Sequence, residues 1–152
     1  MSATAIAAPS VIVQRRYDSP PPAVYAAWTR AEMIDGWFGP SDAVQESVKA
    51  LMDVRTGGRF TISFTRGDGE EANVSGLYKE VVPNEKLVFG WAWSTGSRHE
   101  SQVTITTKPE GRGTLLTLKH EQLLDAPMAD AHRRGWNDSL DKPAALLARL
   151  TT

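Results

Sequence analysis

The sequence predicts an α+β helix-grip fold: a seven-stranded curved antiparallel sheet wrapped around a long C-terminal helix, with two short helices after the first strand. Three observations carry this. Seven runs show strand-like patterning, mostly alternation at period two. The links between the last six are short and rich in Gly, Pro and Asn, and the chain closes on an apolar stripe of helical period. Short links join antiparallel neighbours. A curved sheet must bury one face, and the terminal helix is the one large element available to cover it.

Val11–Tyr17 alternates β-branched and polar residues and reads as the first strand. Ser19-Pro20-Pro21-Pro22 ends it, because proline donates no ladder hydrogen bond, and can open a helix, whose first turn tolerates proline. Val24, Tyr25 and Trp28 then share one face of that helix. Thr29-Arg30-Ala31-Glu32 has the spacing of a capping box and predicts a second short helix, with Met33, Ile34, Trp37 and Phe38 on one stripe and Gly39-Pro40 as its stop.

From residue 44 the period changes to two. Val44–Val54, Arg59–Arg66, Glu71–Val82, Glu85–Trp93, Glu100–Lys108 and Thr114–Glu121 are six predicted strands. Turn chemistry separates them at Thr56-Gly57-Gly58, Gly67-Asp68-Gly69, Pro83-Asn84, Thr95-Gly96-Ser97 and Pro109-Glu110-Gly111. Asp125 is the expected N-cap of the terminal helix, with Pro127 in its first turn. Met128, His132, Trp136, Leu140, Leu147 and Leu150 form its apolar stripe. About 24 residues give roughly 36 Å of helix, with a bend expected at Pro143, whose ring removes the bond to the Ser139 carbonyl. Residues 1–10 are expected to form a disordered tail and 11–152 a single domain.

With 152 residues, 41% hydrophobic and 23% charged, the chain has the composition of one ordinary globular domain. It has no cysteine, which excludes disulfides, thiolate metal sites and thiol nucleophiles. Seventeen basic against eighteen acidic residues argue against a nucleic-acid partner. No run approaches 18 apolar residues, so no membrane partner is expected either. A cytoplasmic location is the default. No paired-carboxylate, phosphate-loop or Gly-x-Ser-x-Gly pattern is present.

Trp37-Phe38-Gly39-Pro40, Gly57-Gly58 and the run Gly76-Leu77-Tyr78-Lys79-Glu80-Val81-Val82-Pro83-Asn84-Glu85-Lys86-Leu87-Val88 carry a resemblance. Gly113-Thr114, His120-Glu121, His132 and Gly135-Trp136 continue it. Over about residues 11–150 the chain resembles the activator-of-heat-shock-protein-90-ATPase homologue family of the START-like, or SRPBCC, superfamily, which also contains polyketide cyclases and the birch-pollen-allergen group. The resemblance implies a cavity between sheet and terminal helix that holds a small hydrophobic or amphipathic ligand. It also leaves open a polyketide cyclase-like enzyme using a cavity histidine, and a co-chaperone-type interaction module with a chaperone partner. Pro143 departs from the family's pattern, which usually continues with a leucine.

The expected cavity wall is Trp37, Phe60, Phe64, Trp91, Trp93, His120, His132 and Trp136. Aromatics fill cores as well as stack on ligands, and Trp91 and Trp93 share a face by strand period. Centring the last hairpin on Glu110-Gly111 pairs Ser101 with His120 and makes His99 and His120 diagonal neighbours on the apolar face. No third ligand accompanies them, so neither metal nor cofactor is expected. Arg15-Arg16 and Arg133-Arg134 read as solvated basic pairs. Gly135, beside Trp136, is expected to face the sheet, so that Gly135→Ala would overpack it. The assembly is expected to be a monomer or a homodimer.

Overall fold

The computed structural model describes residues 9–39, 43–94 and 99–150, except the side chains of 145 and 148–150. Its order is β1 (Val11–Tyr17), α1 (Pro21–Thr29), α2 (Ala31–Trp37), β2 (Val44–Met52), β3 (Arg59–Thr65), β4 (Glu71–Val82), β5 (Lys86–Trp93), β6 (Ser101–Glu110), β7 (Gly113–Glu121), α3 (Ala126–Leu140) and α4 (Lys142–Leu150). Residues 1–8 of the expected tail, Pro40 and the Thr95-Gly96-Ser97 turn lie outside the described residues, as does the Leu150 side chain. The carbonyl of Pro9 accepts from the Leu123 N–H.

The seven strands form one antiparallel sheet in the order β1-β7-β6-β5-β4-β3-β2. The β2–β7 meander follows from the short links. β1 joins it at the far edge, beside β7, because α1 and α2 carry the chain across the concave face before β2 begins. Alternation decides which side chains enter the core: Val103 and Ile105 of β6 meet Leu116 and Leu118 of β7, all fully buried. The sheet curls into a half-barrel. Register shifts lie between Tyr78 and Glu80 and between Val44 and Lys49. Near the first of these, a Cβ on Gly76 would lie 2.0 Å from the Gly90 carbonyl oxygen, so glycine is what lets β4 and β5 approach so closely.

The terminal helix packs over the concave face, and its N-terminus is capped as expected: Asp125 accepts from the Met128 N–H at 2.9 Å. It is not continuous. It breaks at Asp141, two residues before Pro143, into α3 and α4. Proline cannot donate to Ser139, and the Ser139 carbonyl accepts instead from the Asp141 N–H. The hydroxyl of Tyr17 donates to the Leu140 carbonyl at 2.6 Å, and Arg15 reaches Asp141 and Asn137, pinning the break to β1.

Two local expectations are corrected. The capping box does not form: Thr29 ends α1, its hydroxyl donating back to the Tyr25 carbonyl, and Arg30 caps α2 without a side-chain bond. The β6–β7 hairpin turns over Gly111-Arg112, with Gly111 at φ +61°, so His120 pairs with Val103 instead of Ser101. A shift of two residues keeps every side chain on its predicted face. His99 falls outside β6, its ring donating to the Gln122 carbonyl at 2.7 Å. No helix among the described residues is long and apolar enough to cross a membrane.

Candidate functional site

A cavity of about 310 Å³ opens between α3 and the concave face of the sheet. Strand period supplies one wall, since Phe64 and Arg66 stand two residues apart at the end of β3, and Trp91 and Trp93 do so on β5. Helical period supplies the other. His132, Trp136 and Ser139 form one line of α3, with Ala131, Arg134, Gly135 and Asp138 beside it towards the mouth. Phe38, at the C-cap of α2, closes the remaining side.

Trp91 is the centre of the aromatic wall. Its ring lies 5.0 Å from Trp136, 5.6 Å from Trp93 and 6.0 Å from Phe38, centroid to centroid. These are tilted or edge-on contacts of the kind aromatic quadrupoles favour. Trp91 is buried, and its indole N–H has no hydrogen-bond partner among the described residues. A buried unmet donor costs about 1–3 kcal/mol, so native folds rarely leave one. The second space against Trp91, of about 20 Å³, has wholly apolar walls. Water there would lack the polar partners it needs.

Tertiary packing brings together His132, in the helix wall, and His120, behind it, their rings edge to face at 4.7 Å. His120 is fully buried on β7. Trp136 donates to its Nδ1 at 3.0 Å; the neutral ring therefore carries its proton on Nε2 and donates to Ser101 Oγ at 2.7 Å. The Ser101 hydroxyl in turn donates to the Trp91 carbonyl at 3.1 Å. His132 is held the other way round. Its Nδ1–H donates to the Met128 carbonyl at 2.9 Å, and its Nε2 accepts from Trp93 at 3.0 Å. Burial lowers both imidazoles, His120 to about 3 with a further push from His132.

Each imidazole thus keeps its one lone pair on an indole N–H. A general base or a metal ligand needs that lone pair free, so neither role is open without breaking a buried bond. Among the described residues no three His, Asp or Glu side chains converge on a common point.

Five of the eight expected wall residues line the cavity: Phe64, Trp91, Trp93, His132 and Trp136. Three do not. Trp37 is wholly buried beneath α1, donating to the Ala27 carbonyl at 2.8 Å and packing edge-on against Trp28. Phe60 faces the small apolar space with Tyr78 and Phe89. His120 stands behind Trp136. The pairing of His99 with His120 is replaced by that of His120 with His132.

Sequence reasoning missed Arg66 and Arg134. Arg66 is half-buried, its guanidinium 5.5 Å and 5.6 Å from the ring centroids of Phe64 and Trp93. The signal was available, because Arg66 has the same strand parity as Phe64. Arg134 precedes Gly135 on the helix face beside the stripe, and reading Arg133-Arg134 as a solvated pair concealed it.

Gly135 also differs from expectation. It lines the cavity, yet an added Cβ meets nothing within 4 Å, so no overpacking arises. Gly135→Ala is therefore expected to stabilise the protein by about 0.4–1 kcal/mol, by restricting the unfolded chain and improving helix propensity. A rise in the urea midpoint checks this. A fall would mean that the helix sits closer to the sheet than this geometry allows.

Comparison with known proteins follows the fold. The family described as activator of Hsp90 ATPase homolog 1-like protein matches residues 18–148. No curated protein matches the chain. Among solved structures, protein CV1439 from Chromobacterium violaceum is 26% identical with a TM-score of 0.79, over 91% of this chain and 96% of that one. The AHSA1 protein SPO3351 from Silicibacter pomeroyi is 28% identical with a TM-score of 0.77, over 92% and 98%. CalU16 from Micromonospora echinospora is 28% identical with a TM-score of 0.71, over 92% of this chain and 76% of its own.

Proposed function

The chain belongs to the family of activator of Hsp90 ATPase homolog 1-like proteins, and from that premise we propose that its cavity holds a small hydrophobic or amphipathic ligand between sheet and α3. The observation that carries this is the open cavity of about 310 Å³ itself, walled by Phe64, Trp91, Trp93 and Trp136. The volume stands at the lower end of the range for small-molecule sites, which favours a compact ligand over a long-chain lipid.

Binding is better supported than catalysis. A cyclase-like mechanism calls for a histidine with a free lone pair, and both candidates spend theirs on tryptophan. The interaction-module reading rests on the family description alone.

Isothermal titration with a panel of bicyclic aromatics and short-chain amphiphiles tests the proposal. Aromatic members are expected to bind in about the micromolar range. Trp91→Phe, which shrinks the aromatic wall, is expected to weaken the members that bind by about 0.5–1.5 kcal/mol. Uniform failure to bind across the panel would overturn the reading.

A further inference from the structure

The lining of the cavity carries a net positive charge, two arginines against one carboxylate. Arg66 projects from the end of β3 and Arg134 from α3, on opposite walls of one opening, with Asp138 as the single carboxylate among the lining residues. Neither guanidinium forms an ion pair with a carboxylate among the described residues, although five arginine–carboxylate pairs occur elsewhere among them, from Arg15–Asp141 to Arg133–Asp130. Of the adjacent pair, Arg133, which does not line the cavity, is the one that pairs with Asp130, at 2.9 Å.

Arg66 is the more telling of the two. A half-buried cation is costly unless something compensates its lost hydration. The faces of Phe64 and Trp93 offer part of that compensation through their ring quadrupoles. A guanidinium lying over rings leaves its in-plane N–H groups to a further acceptor. That planar fork matches the two oxygens of a carboxylate. Phe64 and Trp93, which hold the fork, are themselves cavity wall, so an acid on Arg66 would have its body against the indoles.

Building on the cavity as a ligand site, we infer that the ligand class is a small flat carboxylate. Its body lies against Trp91, Trp93 and Trp136, its carboxylate accepts from Arg66, and Arg134 adds positive charge from the facing helix.

2-Naphthoate and its neutral isostere 2-naphthamide separate this inference from the reading beneath it, since they share one skeleton and differ in the head. Titration of both is expected to show naphthoate binding about tenfold more tightly, with the ratio shrinking as salt is raised. Arg66→Gln is expected to bring the ratio close to one. Arg112→Gln, in the distant β6–β7 turn, is expected to keep it. Equal affinities, or a preference for the amide, would overturn the inference while leaving ligand binding in the cavity standing. A naphthoate preference that survives Arg66→Gln would overturn the assignment to Arg66. If neither compound binds, the cavity reading and the inference fail together.

Discussion

His120→Ala is expected to lower the unfolding free energy by about 3–5 kcal/mol, a large part of the 5–15 kcal/mol typical of a domain. Two losses combine. The imidazole is fully buried, so its removal leaves a void among Trp91, His132 and Trp136, rings that surround it within 4.7 to 6.1 Å. The Trp136 N–H also loses its only acceptor in a place water does not reach. Ser101 is less affected, since its hydroxyl still donates to the Trp91 carbonyl. His120→Phe separates the two losses: it refills the space but leaves Trp136 unmet, and is expected to cost about 1–3 kcal/mol. Chemical denaturation of both variants measures this. A loss under about 1 kcal/mol for His120→Ala would mean that the wall behind the cavity relaxes freely.

That network was only half legible in the sequence. Alternation placed His120 on the apolar face together with Val103, Ile105, Leu116 and Leu118, and helical period placed His132 and Trp136 on one stripe. What brings His120 to His132 is the docking of α3 on β7, and no spacing within either element encodes it. The expected neighbour, His99, came from a turn centred one residue too early. Gly111 takes a positive φ in a two-residue turn, and composition alone does not distinguish that from a turn over Glu110-Gly111.

Strands were legible for a physical reason. Period two with punctuating Gly, Pro and Asn is local information, and all seven strands lie within two residues of their expected bounds, Asn84 taking the turn conformation its position requires. The helical region was less so. The capping box failed because α1 runs through Thr29, whose hydroxyl is more readily satisfied by the Tyr25 carbonyl four residues back. At the cavity, apolar parity found Phe64 and Trp93, while the charge of Arg66 hid its place on the same face. Trp37 was misplaced for the opposite reason. A tryptophan on an amphipathic stripe looks the same whether it lines a cavity or fills the layer beneath one.

Acidification from pH 7 to pH 4 is expected to destabilise the protein by about 3 kcal/mol through His120 alone. In the folded chain burial holds His120 neutral, its affinity for a proton lowered to about 3, and lowers His132 as well. In the unfolded chain each imidazole takes up a proton as pH falls through about 6.5. Between those limits the unfolded state binds more protons than the folded one, so stability falls as pH falls. Above pH 6.5 both states are neutral and the contribution vanishes; below about 3 the folded His120 also protonates and the loss is complete. His120 then contributes a slope approaching about 1.4 kcal/mol per pH unit inside the window, and His132 adds to it in the same direction. Urea denaturation at pH 7, 6 and 5 isolates them, because ordinary carboxylates titrate lower, near 3.9–4.3. His132→Gln removes one of the two and is expected to flatten the slope. Stability that stays constant from pH 7 to pH 5 would mean that the buried imidazoles accept protons in the folded state, which requires Trp93 and Trp136 to release them.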